Sequence, residues 1–109
     1  MKKFLEEIKK SEVLLGIIIK SEYEESGISF LTSADNILQV GYMSYSGKKV
    51  IQPHIHNKYK RNIEGTQEVI YVKEGKVRVN FYDENKEFVC KRELYTGDCV
   101  VLIGGGHGF

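Results

Sequence analysis

The stretch Glu68-Val69-Ile70-Tyr71-Val72-Lys73-Glu74-Gly75 decides the fold. Val69, Ile70, Tyr71 and Val72 form a β-branched and aromatic run between polar ends, which is strand chemistry. Strand side chains alternate, so Glu68, Ile70 and Val72 share one face while Val69 and Tyr71 share the other. With the first set inward, a carboxylate stands at the rim of an apolar floor. Val69 and Tyr71 then face outward, which suggests a second sheet or subunit. Gly75 permits the positive φ of a tight turn, and residues 76–82 continue as a second strand. The two are expected to form a hairpin.

The same grammar extends both ways. Residues 13–20 and 28–32 are rich in β-branched residues, residues 37–45 read as a longer strand, and Ser46-Gly47 ends it. Residues 50–56 read as extended, with Pro53 arguing for an edge, a strand start or a bulge. Residues 57–66 are a polar, basic loop. After the 76–82 strand, residues 87–94 pair back, and Thr96-Gly97-Asp98 turns the chain into 99–103. The Gly104-Gly105-Gly106 run is either a close approach of backbone to a site or a plain flexible loop. Residues 1–12 carry Phe4, Leu5 and Ile8 at helical spacing, so a short amphipathic helix is expected as a lead-in. One helix followed by many short strands at hairpin spacing indicates an all-β sandwich or barrel over residues 13–109.

The 109 residues suffice for one hydrophobic core. A net charge of +1 gives no global attraction to nucleic acid or a membrane, and no apolar run approaches the length of a spanning helix. Glu6 and Glu7 interrupt what would be the apolar core of a signal peptide, so a cytoplasmic location is expected. Cys90 and Cys99 lack Cys-x-x-Cys spacing and read as small, partly buried thiols.

Chemistry concentrates on the three histidines. His54 and His56 are two apart in an extended segment, so both imidazoles can converge on one point. Glu68 opens the next strand and reaches that point if its strand pairs with the histidine segment. His107 follows the last apolar strand and the glycine run. Three imidazoles and one carboxylate suit a first-row divalent ion, Fe, Mn, Ni or Zn, with open positions for water or substrate. A lone His-x-His is as readily a pair of surface histidines; the surrounding pattern favours the ligand reading.

That pattern resembles the cupin superfamily. Gly47, then His54-Ile55-His56, then Glu68 followed after six residues by Gly75, follows the order of its first motif. Gly97-Asp98-Cys99-Val100-Val101-Leu102 leading to His107 is similar to its second. The resemblance runs from about Gly41 to Phe109. It implies a double-stranded β-helix, or jelly-roll barrel, with His54, His56, Glu68 and His107 as metal ligands. The sequence departs from the family in three places. The 56–68 loop is longer than usual, leaving Glu68 rather than Glu64 as the carboxylate ligand. Ile103 stands where proline is usual and His107 comes one residue early. A further strand normally follows that histidine, which implies a truncated chain or an edge covered by the N-terminal segment or a partner.

The resemblance further implies a small-molecule ligand. It is looser to small cupins that isomerise or epimerise activated sugars in polysaccharide biosynthesis, some of which use histidines as acid and base without metal, a role open to His54 or His56. A non-catalytic binding module and an Fe(II)-dependent dioxygenase are the alternatives. No catalytic residue is assigned; Tyr42, Tyr45 and Tyr71 are candidates that equally read as ordinary aromatics. Lys58, Tyr59, Lys60 and Arg61 could hold an anionic group or form a solvated loop. A homodimer is expected, and no nucleic-acid or membrane partner.

Overall fold

The run Val13–Ile19 is apolar at almost every position, so no arrangement with one face in water suits it, and adjacent Ile17 and Ile18 are both buried. It forms the second of nine strands in a computed structural model that describes residues 3–109. The strands are β1 (Leu5–Lys10), β2 (Val13–Ile19), β3 (Gly27–Phe30), β4 (Gly41–Ser44), β5 (Glu68–Tyr71), β6 (Lys76–Tyr82), β7 (Phe88–Tyr95), β8 (Cys99–Leu102) and β9 (Gly106–Gly108). The protein is all-β, with every pairing antiparallel and no helix among the described residues. The strands make three sheets, ordered β1-β2-β8-β5, β7-β6-β9 and β3-β4, and these do not close into one hydrogen-bonded barrel.

The chain divides into two compact units. The first, Met1–Tyr23 with Thr66–Phe109, holds the two larger sheets. Their facing sides make one core from Ile8, Leu15, Ile18, Val100, Leu102 and Val72 on one side and Val79, Phe81 and Leu94 on the other. Cross-strand register explains the membership. Ile18, Val100 and Ile70 lie abreast and all point inward, as do Gly16, Leu102 and Glu68. Opposite Ile8 and Lys9 the register slips past Leu15, a bulge that turns Leu15 inward as well. Gly16 is required by the facing sheet, since a Cβ there would come within 2.9 Å of the Phe81 ring. The Gly104-Gly105-Gly106 run is a packed corner that carries the chain from β8 to β9. Gly105 has φ 61°, and a Cβ on it would lie 2.6 Å from Leu15 Cδ2 and meet the Tyr82 carbonyl.

The second unit, Glu24–Gly65, contains the hairpin β3–β4. Ile28 lies opposite Met43, and Phe30 covers Gly41, where its ring takes the space a Cβ would fill. Thr32 Oγ1 accepts from the Val40 N–H, and Gln39 Nε2 donates to the carbonyls of Ser33 and Asn36, tying the connecting loop.

Four expectations are corrected. The N-terminal helix is instead β1, although residues 1 and 2 of that expectation lie outside the described residues. Three apolar side chains give a short helix little to bury, whereas β2 offers a full ladder of backbone partners. The 37–45 strand is only Gly41–Ser44, because Asn36 Nδ2 donates forward to the Leu38 carbonyl and Gln39 Nε2 back to the carbonyls of Ser33 and Asn36, which holds that stretch as a loop. Residues 50–56 join no sheet, so Glu68 pairs not with the histidine segment but with β8. Finally, β5 and β6 are not a hairpin. Val72 N–H donates to the Asp98 carbonyl, Gly97 N–H to the Val72 carbonyl and Gly75 N–H to Thr96 Oγ1. Those bonds engage the backbone that a hairpin would use, and the chain steps at Gly75, φ 102°, from one sheet to the other.

Candidate functional site

Two of the four expected ligands meet within the first unit. Glu68 lies abreast of Leu102 and Gly16 on the inward face of one sheet. His107 lies opposite Phe81 on the inward face of the other. Where the apolar core ends, His107 Nε2 and Glu68 Oε1 stand 3.1 Å apart, with side chains 28% and 52% exposed. The Phe109 ring packs edge-on to the imidazole, 5.7 Å between centroids. A polar pair at two core-facing positions is not what packing alone selects, since two apolar side chains would extend the core.

The separation suits a shared ion. Two donors at about 2.1 Å from a metal and at right angles to each other stand about 3.0 Å apart. The same distance is that of a hydrogen bond, in which Nε2–H donates to the carboxylate; with the proton on Nδ1 instead, Nε2 presents its lone pair.

The other two expected ligands lie in the second unit. The rings of His54 and His56 are 5.5 Å apart and tilted by 45°. Both side chains are exposed. His54 Nδ1 lies 2.9 Å from the Gln52 carbonyl. A carbonyl only accepts, so Nδ1 carries the proton and Nε2 is the nitrogen left for a ligand. Among the described residues, no group of three or more His, Cys, Asp and Glu side chains stands ready to hold a metal ion.

Lys58, Tyr59, Lys60 and Arg61 are exposed on a segment without regular structure, and the Arg61 guanidinium sits 4.9 Å from the Tyr59 ring centroid. Lys49 stacks similarly over Tyr45, at 5.5 Å. Between residues 45 and 63 there are five cations, Lys48, Lys49, Lys58, Lys60 and Arg61, and no carboxylate. Glu64 is exposed, and Tyr71 points outward from β5. Cys90 and Cys99 are free thiols, and burial pushes the Cys99 thiol up.

Two features were not read from the sequence. Asp98, in the Gly-Asp turn, is only 2% exposed and anchors the unit: Oδ1 accepts from Ser21 N–H (2.8 Å), and Oδ2 from Tyr95 N–H (2.7 Å) and Lys20 Nζ (3.0 Å). A shallow cavity of about 270 Å³ is lined by Lys10, Ser11, Val13, Leu15, Asp83, Glu84 and Asn85, none of them an expected site residue. No helix of the described residues is long and apolar enough to cross a membrane. Comparison with known proteins finds no family model, no curated protein and no solved structure that matches this chain.

Proposed function

We propose that this chain is a metal-binding protein of the cupin type, with Glu68 and His107 as the core of a single divalent-ion site. The observation that carries the reading is the 3.1 Å approach of those two side chains from facing sheets. It supplies one oxygen and one nitrogen donor at a spacing an ion can bridge. His54 and His56 are proposed as the further ligands on the ground of the sequence pattern, not of their placement. The resemblance to jelly-roll cupins belongs to the same proposal and rests on the two motifs.

A bound ion of this kind, Fe, Mn, Ni or Zn, would polarise an oxygen of a ligand or activate water. The exposed cations of the 45–63 segment fit a small anionic or sugar-type substrate, and an isomerase- or epimerase-like step is the reaction proposed. The protein is proposed to work in the cytoplasm, where thiols such as Cys90 and Cys99 stay reduced.

Elemental analysis of purified protein, with competitive titration against a chromogenic chelator, tests the site. The expected result is about one ion per chain, and a large loss of affinity in Glu68→Gln and in His107→Gln, consistent with the loss of a direct ligand. Absence of stoichiometric metal after loading with each of the four ions would remove the proposal. Loading that survives both substitutions would move the site elsewhere. Turnover assays on nucleotide sugars, and oxygen consumption with Fe(II), then separate isomerase, dioxygenase and binding module.

A further inference from the structure

The cavity at the β1–β2 and β6–β7 turns shares no residue with the proposed ion site. One wall is Lys10, Ser11, Val13 and Leu15 from the sheet β1-β2-β8-β5, and the other is Asp83, Glu84 and Asn85 from the sheet β7-β6-β9. Leu15, which is buried, and Val13 beside it give the hollow an apolar lining. Both walls are fixed by backbone. Asp83 Oδ1 accepts from the N–H groups of Asn85 and Glu87 at 2.9 and 3.0 Å, and the Asp83 N–H donates to the Glu87 carbonyl at 2.9 Å. Ser11 holds φ 54° in the two-residue turn between β1 and β2. Gly105 leaves no room for a Cβ against Leu15 and the Tyr82 carbonyl. The side chains of Lys10, Ser11, Glu84 and Asn85 form no hydrogen bond or ion pair with another described residue. A cation on one wall and carboxylates on the other therefore line the same hollow without closing it.

We propose that this cavity is a second binding site, for a small zwitterion of the α-amino acid class with an apolar side chain. Charge selects that class. Lys10 repels a simple cation, and Asp83 with Glu84 repels a simple anion, whereas a molecule carrying both charges is attracted at each wall. Lys10 receives the ligand carboxylate, Glu84 with Asp83 receives the ammonium, and the side chain lies on Val13 and Leu15. Ser11 and Asn85 supply further polar contacts. The volume is about 270 Å³. At roughly 30 Å³ per water-sized group, that holds a molecule of about nine non-hydrogen atoms, the size of leucine. The fixed walls spare the protein an ordering cost, but the charges stay in contact with water. Binding near the low end for small ligands gives an expected dissociation constant of about 1–10 mM.

Titration of L-leucine into the nitrogen-15-labelled full chain, followed by amide correlation NMR, tests the site. At about pH 6.5 the ligand ammonium and carboxylate are both charged. Saturable shifts are expected at the amides of residues 10–15 and 83–87. Leucinamide, which lacks the negative charge, and N-acetyl-leucine, which lacks the positive one, should each bind about threefold to fivefold more weakly, as the loss of one solvated charge contact implies. Lys10→Gln and Glu84→Gln carry the decisive readout. Both side chains are exposed, and the same spectra show the fold retained. Lys10→Gln should weaken leucine but not leucinamide, and Glu84→Gln should weaken leucine but not N-acetyl-leucine. No saturable shift up to about 100 mM, tenfold above the weakest expected constant, would overturn the proposal. So would shifts centred on other residues, or a Lys10→Gln variant that loses leucinamide as strongly as leucine.

Discussion

Glu68 and His107 are far apart in the chain and on different sheets, yet their side chains meet at 3.1 Å because each occupies an inward register position, beside Leu102 and opposite Phe81. If the pair holds an ion, the ion joins the two sheets, and metal affinity becomes folding stability. An ion at a hundredfold excess over its dissociation constant stabilises by about 2.7 kcal/mol. In a domain of this size each kcal/mol shifts Tm by about 4–8 °C, so the expected rise is on the order of 10 °C. Differential scanning fluorimetry with each ion should show it in the native protein and not in His107→Gln. Equal shifts in both would mean that the stabilising ion binds elsewhere.

Gly105 tests whether the glycine run is a corner or a loop. An alanine there must adopt φ near 61° and push its Cβ into Leu15 and the Tyr82 carbonyl. The expected loss for Gly105→Ala is about 2–4 kcal/mol, combining the left-handed backbone cost with overpacking. Gly75→Ala, at φ 102° with open space around the added methyl, carries only the backbone cost, about 1–2 kcal/mol. Urea midpoints should rank the two in that order, and a smaller loss at Gly105 would show the corner to be plastic.

The edges of the facing sheets are tied at β1 and β7. Arg92 Nε donates to both carboxylate oxygens of Glu6, at 3.0 and 3.2 Å, and Nη2 to Oε2 at 2.8 Å. That hydrogen bonding raises the Arg92 pKa against the opposing effect of burial. Both side chains keep contact with water, so the pair is expected to contribute about 0.2–1 kcal/mol. Lysine cannot reproduce the forked geometry. Arg92→Lys should therefore lose most of the coupling measured in a double-mutant cycle with Glu6→Gln. Retained coupling would mean that charge alone matters.

Most strand positions were legible because their causes are local. Alternation in 68–72 and the β-branched run at 13–19 fix strand character and facing wherever the strands dock. Partner choice was not legible. Residues 68–73 and 76–82 look like a hairpin in sequence, and only the bonds from 72–75 to the 96–98 turn divert them. Likewise, Phe4, Leu5 and Ile8 satisfy a helical period while β2 supplies a better use for the same residues. At the candidate site, Glu68 and His107 were singled out by residue type and by the pattern around them. Their approach depends on β5 and β9 lying in facing sheets, which no local signal encodes.

Asp98 yields a pH prediction whose sign follows from competing effects. Burial alone would push its carboxyl up, but the N–H groups of Tyr95 and Ser21 and the Lys20 ammonium outweigh it, and the pKa lies below the usual carboxylate range. In the unfolded chain the group titrates near 3.9. A depressed native value means that ionised Asp98 stabilises the fold fully above that pH, and the stabilisation is lost as pH falls through the lower native value. Asp98→Asn replaces one acceptor oxygen with an N–H₂ facing donors and removes the carboxylate partner of Lys20, which keeps its bond to the Glu93 carbonyl; at pH 7 this should cost about 2–4 kcal/mol. Below pH 4 the native protein progressively loses its own contribution, so the two stability curves should converge as acid is added. Urea unfolding at pH 7, 5 and 3 measures the gap. A gap that stays constant across that range would show that Asp98 acts through shape rather than charge.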